Sequence, residues 1–242
     1  MILKDRPVLG ILELDEGLLP DSPFPVPRVG AFVNPATFER PIITEIVEGA
    51  RADVVIRGEP LLEVACVAAA QRLVRRGASV ISADCGYFIR HQSAVAAAVN
   101  VPVVMSSLLL VPALLRQLSP TRKLAVVTAD ASHCHQDLLG VDSHESRARV
   151  VIGGIEGGEY LRNSKAHPFI RTEVDQIEKE VAACVSQLQA DHPEIGMLLF
   201  ECTGLPLVAD AIRVRTGLPV YDITDLCRLT LASIDCDPSP SG

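Results

Sequence analysis

The sequence lacks several features that mark common protein classes. It has no CxxC pair, and its seven cysteines are scattered along the chain. It has no cluster of basic residues, and 30 acidic against 22 basic side chains give a net charge of -8. A nucleic-acid-binding surface needs concentrated positive charge. The scattered thiols therefore indicate a reducing environment, and we expect no nucleic-acid partner.

The first residues form no long apolar signal region, which predicts a cytoplasmic location. The stretch 92–115 contains no charged residue and is long enough for a membrane span. Asn100, Pro102 and Pro112 interrupt it. A buried helix, a buried strand and a second helix explain this stretch better, so we expect no membrane association.

Two cysteines stand in matching local contexts 117 positions apart. Cys85 and Cys202 each follow a short apolar run and one acidic residue. Each is followed 17 residues later by a proline, Pro102 in the first case and Pro219 in the second. The pattern predicts two equivalent halves with one thiol in each half.

Apolar runs typical of strands alternate with segments typical of helices in both halves. The predicted strands are 7–14, 79–83, 101–105, 124–128, 196–200 and 220, and the predicted helices are 61–76, 88–99, 106–118, 172–190, 205–216 and 222–234. Between them lie a proline-rich loop at 18–41, a strand or short helix at 42–50, and a turn or flexible flap at 153–158.

This alternation predicts an α/β fold with two similar lobes, each a parallel-rich sheet flanked by helices. We expect the lobes to be related by a pseudo-two-fold axis, with the active site in the cleft between them. The first lobe is predicted to comprise 1–104 plus 221–242, and the second 105–220. The 48% apolar content supports an ordered core of this size.

Ligands of open parallel sheets bind at the carboxyl ends of the strands, where Cys85 and Cys202 are placed. Backbone N–H groups at such a turn favour the thiolate. Two thiols on opposite faces of one carbon could form a two-base pair, in which one removes a proton and the other delivers one. Four other cysteines fit an inert role in helices or the tail: Cys66, Cys184, Cys227 and Cys236.

The neighbours of the two thiols are small. Gly86, Thr203 and Gly204 would let backbone N–H groups and the Thr203 hydroxyl approach a substrate carboxylate. Asp84 and Glu201 precede the thiols, and strand alternation predicts that their side chains face away from them.

Other chemistries are disfavoured by the sequence. The tract 132–137 contains His133 and His135 but has no second cluster of ligands, so we expect no metal, although either histidine could line the pocket. The glycines at 153–158 lack the spacing of a nucleotide-binding loop. None of the four lysines stands at a predicted strand end, which disfavours pyridoxal phosphate. We therefore predict no cofactor.

Each of the paired cysteines follows a predicted strand, as Cys-Gly in the first half and as Glu-Cys-Thr-Gly-Leu-Pro in the second. Thr128 ends the intervening strand. In these features the sequence resembles the aspartate/glutamate/hydantoin racemase superfamily. The resemblance implies a cofactor-independent enzyme in which Cys85 and Cys202 act as acid and base. It implies that Thr203 contacts the substrate carboxylate and that Asn34 contacts the substrate. The candidate substrate-binding residues are thus Asn34, Gly86, Tyr87, Thr128, Thr203 and Gly204.

The chain departs from glutamate racemases because it has no Asp-Ser after the first strand and no His after Thr203, and it lacks the Gly-Cys-Ala pattern of hydantoin racemases. The expected function is racemisation or epimerisation of a small carboxylate-bearing compound, with an amino acid of aspartate/glutamate type foremost. Alternatives on the same scaffold are hydantoin racemisation, malonate decarboxylation and diacid isomerisation. A bilobal protein that binds a small ligand without chemistry is the non-enzyme alternative. The resemblance favours a homodimer.

Overall fold

The computed structural model describes residues 6–18 and 27–235. The described chain contains two separate parallel sheets. Their strands are β1 (Leu9–Glu13), β2 (Ile42–Ile46), β3 (Val80–Ala83), β4 (Lys123–Thr128), β5 (Val150–Gly154), β6 (Ile195–Phe200) and β7 (Val220–Tyr221). The first sheet has the order β2-β1-β3 and the second β5-β4-β6-β7.

Helices flank both sheets. They are α1 (Ala52–Arg57), α2 (Leu62–Arg75), α3 (Gln92–Ala98), α4 (Val111–Gln117), α5 (His144–Ala148), α6 (Glu159–Ser164), α7 (Val174–Asp191), α8 (Ala209–Thr216) and α9 (Ile223–Ile234). Short 3-10 helices occur at Pro35–Thr37, Gly86–His91, Ser107–Leu110, Ala131–His133, Gln136–Leu139 and Leu205–Val208. The predicted α/β class with two helix-flanked parallel sheets is confirmed.

The two sheets repeat one another in topology and register. In each, the first strand along the chain lies between the second and the third. Ile81 bridges Val103 in the first sheet, and Leu198 pairs with Val220 in the second. Both residues of the second pair lie 117 positions beyond those of the first. The two cysteine-bearing strands are therefore structurally equivalent.

Buried apolar side chains form the core on both faces of each sheet, as expected for parallel strands. Leu9 and Ile11 of β1 pack with Ile223 and Leu226 of α9, so the last helix covers the first sheet. The carboxylate of Asp222 caps this helix by accepting from the Thr224 N–H at 2.7 Å. The division of the chain at 104/105 and 220/221 stays a prediction.

The strand predicted at 101–105 is wrong in extent, because only Val103 forms a bridge, to Ile81. On the edge of this segment that faces away from β3, the side chain of Gln92 pairs with the backbone groups. Its amide nitrogen donates to Val103 O at 2.8 Å, and its oxygen accepts from Met105 N at 3.0 Å.

The turn or flap predicted at 153–158 is wrong at its start, because Gly153 and Gly154 end β5. A side chain at Gly153 would come within 2.7 Å of Leu188 and 2.9 Å of the Cys184 sulfur. The glycine thus permits α7 to pack closely on the sheet. The predicted helices at 88–99, 106–118 and 205–216 each begin with a 3-10 helix, and α1, α5 and α6 were not predicted.

The predicted proline-rich loop falls partly at 19–26, which lies outside the described residues, as does Cys236. Its second part, 27–41, contains the 3-10 helix Pro35–Thr37, and the predicted strand or short helix at 42–50 is β2. None of the described helices has the length and apolarity required to span a bilayer. The compartment stays a prediction.

Candidate active site

A cavity of about 360 Å³ opens between the two sheets. Its wall includes Cys85 and Gly86 beyond β3, and Cys202, Thr203 and Gly204 beyond β6. The structure therefore brings the two equivalent thiols to one cavity at the carboxyl ends of their strands. Each thiol is partly exposed.

Equivalent backbone contacts position the two cysteines. The N–H of Asp84 donates to Leu12 O at 3.0 Å, and the N–H of Glu201 donates to Val127 O at 2.8 Å. In each half the acidic residue is thus the last one whose backbone N–H forms a hydrogen bond with the neighbouring strand. The cysteine that follows it leaves the sheet and enters a turn and a short 3-10 helix.

The lobes also contact each other directly beside the thiols. The Thr203 hydroxyl donates to the carbonyl oxygen of Asp84. The Glu201 side chain reaches the first lobe, where a Cβ on Gly86 would lie 2.2 Å from its Oε1 atom. Only glycine at position 86 leaves room for this carboxyl group.

The expectation that the two acids face away from the site is wrong, because both line the cavity. For Glu201 the reason is local. β6 ends at Phe200, so strand alternation no longer fixes the direction of the next side chain. The Asp84 carboxylate accepts from the Leu14 N–H at 3.0 Å, which ties it to the end of β1.

The surroundings of Cys202 favour its thiolate more than those of Cys85 do. Its sulfur lies 3.2 Å from the Tyr160 hydroxyl oxygen. Burial and the charge of Glu201 raise the pKa of Cys202 to about 11, opposed by hydrogen bonds from Tyr160 and the Gly204 N–H. Burial, followed by the charge of Glu201, raises the pKa of Cys85 well above its ordinary range, and the Tyr87 N–H opposes this shift.

The backbone N–H groups of the turns lower the pKa of both thiols, as expected, but burial and the neighbouring carboxylate outweigh them. Tyr160 was not predicted as a site residue. It lies on the short helix α6, and no local motif marks it. A Cβ on Gly204 would lie 1.9 Å from its hydroxyl, so Gly204 is required for the Tyr160–Cys202 contact.

A chain of hydroxyl groups leads away from Glu201. Its Oε2 atom accepts from the Thr128 hydroxyl at 2.7 Å. That hydroxyl lies 3.0 Å from the Tyr87 hydroxyl, which donates to the Asp130 carbonyl at 2.5 Å. The Oε1 atom is buried and has no hydrogen-bond partner among the described residues. Burial raises the pKa of Glu201 to about 7, although Thr128 and the charge of Arg90 lower it.

Charges of both signs line the rest of the cavity. Burial raises the pKa of Glu13, and burial together with the charge of Glu13 raises that of Glu16 to about 7. On the other side, Arg28 forms an ion pair with Glu173. Lys165 also lines the cavity and pairs with Asp130 at 3.0 Å. The site is thus suited to a small molecule that carries both charges.

The predicted substrate-binding residues fall into two groups. Gly86, Tyr87, Thr203 and Gly204 line the cavity. Thr128 lies behind the wall and contacts Tyr87 and Glu201, while Asn34 caps the 3-10 helix at Pro35–Thr37 and does not line the cavity. The catalytic and binding roles of these residues stay predictions.

His133 and His135 do not line the cavity either. The Nδ1 atom of His133 lies 3.2 Å from the carboxylate of Asp130. Within residues 6–18 and 27–235, no three His, Cys, Asp or Glu side chains converge into a group that could hold a metal ion.

Sequence comparison gives a clear set of relatives, although no family model matches the chain. The chain is 31% identical over 207 residues to a dimethylsulfoniopropionate lyase of Durusdinium sp. clade D, covering 81% of this chain and 67% of that protein. The chain belongs to the dimethylsulfoniopropionate lyase family. It is also 29% identical over 252 residues to dimethylsulfoniopropionate lyase 7 of Emiliania huxleyi, covering 98% of this chain and 70% of the relative. It spans 62% of two further family members from that organism.

Solved structures show the same fold at low identity. An aspartate racemase homologue from Pyrococcus horikoshii OT3 superposes with a TM-score of 0.58 at 16% identity, covering 94% of this chain and 98% of the other. Arylmalonate decarboxylase superposes with a TM-score of 0.56 at 18% identity, covering 97% and 96%. The chain therefore has the fold of the aspartate/glutamate racemase superfamily, as the sequence motifs predicted.

The predicted activity is wrong. The relatives at about 30% identity are named as lyases that act on a sulfonium compound, and none is named as a racemase. The expected isomerase of an amino acid is overturned by this finding. Motifs shared across the superfamily mark the scaffold and the thiol positions, and they do not distinguish proton exchange from elimination.

Proposed function

We propose that this chain is a carbon–sulfur lyase that cleaves dimethylsulfoniopropionate or a closely similar sulfonium carboxylate. The observation that carries the proposal is 31% identity over 81% of the chain to a protein named for this activity. The site agrees with it, because a partly exposed thiol with a hydroxyl donor lies in a cavity with charges of both signs.

The reaction needs one base. A thiolate removes a proton from the carbon next to the carboxylate, and the electron pair of that C–H bond becomes the C=C bond. The C–S bond breaks, and its electron pair stays on sulfur. The products are dimethyl sulfide, acrylate and one proton. Because the leaving group departs as a neutral molecule, no acid is needed to protonate it.

Cys202 is the base in this proposal, since its sulfur lies 3.2 Å from the Tyr160 hydroxyl, and among the described residues no side chain donates to Cys85 in this way. The hydroxyl of Tyr160 and the N–H of Gly204 stabilise its thiolate. Cys85 lies across the cavity and shapes the opposite wall. This asymmetry distinguishes the proposed lyase from a two-base racemase, in which both thiols exchange protons with substrate.

The charged side chains of the cavity wall complement the two charges of the substrate. Glu13 and Glu16 line one part of the wall, and neither forms an ion pair within the described part of the chain. A sulfonium group beside them would stabilise their carboxylate forms. Arg28 and Lys165 supply positive charge for the substrate carboxylate.

Purified protein should release dimethyl sulfide from dimethylsulfoniopropionate, measured by gas chromatography of the headspace. Cys202→Ser should lower kcat by about 1,000-fold or more, because an alcohol is a far weaker acid than a thiol and supplies almost no anionic base at neutral pH. Cys85→Ser should lower kcat much less, by about 10-fold or below, since no acid is required.

Cys227→Ser is the matched control, because Cys227 is a fully buried thiol in α9 that does not line the cavity. It should retain the wild-type kcat. Equal loss in both cavity variants would contradict the one-base assignment. Wild-type protein that releases no dimethyl sulfide would refute the proposed function.

A further inference from the structure

Resting on the proposed function, we infer that Glu201 is the proton acceptor of the site: it receives the proton that Cys202 removes from substrate and passes it to solvent water after the products have left the cavity. Elimination yields one proton per turnover, whereas racemisation yields none. The thiol must lose that proton before it can act again. The lyase therefore needs an acceptor beside the thiol that the fold of a racemase does not by itself require.

The position of Glu201 meets this need. The residue is 1% exposed and lines the cavity next to Cys202 in the chain. Its Oε1 atom has no hydrogen-bond partner among the described side chains and backbone groups. A buried carboxylate oxygen without a partner is costly, and a proton on the carboxyl group reduces that cost.

Gly86 keeps the space for this oxygen open. The Oε1 atom lies 2.2 Å from where a Cβ of residue 86 would be. The carboxyl group of one lobe thereby packs against the residue that follows Cys85 in the other lobe. Its charge raises the pKa of both thiols, which places it within electrostatic reach of each.

The hydroxyl chain can serve both protonation states of Glu201. When Glu201 is a carboxylate, the Thr128 hydroxyl donates to Oε2 at 2.7 Å. When Glu201 is protonated, the Thr128 hydroxyl can accept a hydrogen bond from it and donate its own hydrogen to the Tyr87 oxygen, 3.0 Å away. Tyr87 meanwhile donates to the Asp130 carbonyl, which can only accept. No hydroxyl is left unpaired in either state.

Protonation of Glu201 also favours ionisation of the Cys202 thiol. As a carboxylate, Glu201 opposes the thiolate of Cys202, and as a neutral acid it does not. Arrival of the proton on Glu201 therefore favours the thiolate needed for the next step. The other titratable or charged groups that interact electrostatically with Glu201 are Cys85, Tyr87, Cys134 and Arg90.

The first test is independent of turnover. Infrared difference spectra between about pH 8.5 and about pH 5.5 should show the carbonyl band of a buried neutral acid in wild type. The band should be lost in Glu201→Gln. Glu16→Gln is the matched control, because Glu16 has a similar raised pKa on another part of the wall, and this variant should retain the Glu201 band. Thr128→Val removes the hydroxyl that donates to the Glu201 carboxylate, so the band should appear at a higher pH than in wild type.

The second test separates the first turnover from later ones. In rapid-quench measurements, Glu201→Gln should release the first equivalent of dimethyl sulfide within about 3-fold of the wild-type rate, while its steady-state kcat falls by about 10-fold or more. Imidazole, a small base that can enter the cavity, should restore steady-state turnover. Thermal unfolding of the variant confirms that it is folded.

The outcomes are distinct. An unperturbed kcat in Glu201→Gln, or equal loss of first and later turnovers without rescue, overturns the assignment in favour of a structural role. A wild-type spectrum without the Glu201 band overturns it whatever the reaction. If wild type releases no dimethyl sulfide, the proposed function fails, and the infrared result alone decides whether Glu201 takes up a proton.

Discussion

Replacing Tyr160 by Phe should lower the population of the Cys202 thiolate without disturbing the rest of the site. The change removes one oxygen atom, which lies 3.2 Å from the Cys202 sulfur. When Cys202 is a thiolate, this hydroxyl is a donor to a charged acceptor. Such hydrogen bonds contribute about 1.5–3 kcal/mol, and one pKa unit corresponds to about 1.4 kcal/mol. The thiolate fraction of Cys202 at about pH 8 should therefore fall by about 10- to 100-fold.

The assay measures the thiol and the reaction together. Alkylation of Cys202 by iodoacetamide, followed by peptide mass spectrometry, reports its thiolate at each pH. In Tyr160→Phe the alkylation profile should move to higher pH, and kcat/KM for dimethyl sulfide release should fall by the same factor and recover as pH rises. Tyr221→Phe is the matched control, because Tyr221 is a partly buried tyrosine of β7 that does not line the cavity. An unchanged alkylation profile in Tyr160→Phe would refute the role assigned to the hydroxyl.

Three further changes test the structure. Gly204→Ala places a methyl group 1.9 Å from the Tyr160 hydroxyl, so kcat/KM should fall at least as far as in Tyr160→Phe while the melting temperature shows that the chain folds. Burial raises the pKa of Glu201 from 4.5 to about 7. The contribution of this carboxyl group to the free energy of unfolding is therefore complete below about pH 4.5 and is lost as pH rises through about 7. In urea titrations the free energy of unfolding of wild type should fall by about 3 kcal/mol more between these pH values than that of Glu201→Gln. An equal pH dependence in the two proteins would contradict this. Asp222→Ala removes the acceptor for the Thr224 N–H at 2.7 Å and should lower the free energy of unfolding by about 1–2 kcal/mol, with kcat unchanged.

Much of the fold could be predicted from the sequence because its signals are local. Buried parallel strands appear as short apolar runs, and β1, β3, β4 and β6 all lie within predicted strands or one residue outside them. The repeat of Cys85 and Cys202 predicted equivalent halves, and the register of the two sheets shows this equivalence directly. The last helix begins with a capping box that the sequence displays at Asp222 and Asp225.

What could not be predicted depends on contacts distant in the sequence. Tyr160 reaches Cys202 across 42 positions, and Thr128 reaches Glu201 across 73. The carboxyl group of Glu201 packs against Gly86 of the other lobe because β6 ends one residue earlier and the glycine leaves a space there. The space beside Gly86 has no local sequence signal, whereas the end of the strand at Phe200 agrees with the predicted strand 196–200. The same burial that brings these groups together raises the pKa of both thiols, against the expectation from the turn geometry alone.

The activity could not be predicted from the motifs, because racemisation and elimination begin with the same step. Both remove a proton next to a carboxylate, and a thiol such as Cys202 suits either. The reactions differ in what leaves the neighbouring carbon, which depends on the substrate. The relation to the dimethylsulfoniopropionate lyases supplies the information that the cysteine motif lacks.

Proton NMR of wild-type protein incubated with dimethylsulfoniopropionate decides whether the chain cleaves a carbon–sulfur bond by elimination. Acrylate and dimethyl sulfide should accumulate in equal amounts, and both should fail to appear with Cys202→Ser. Intact substrate after prolonged incubation with folded wild-type protein would contradict elimination, as would 3-hydroxypropionate in place of acrylate.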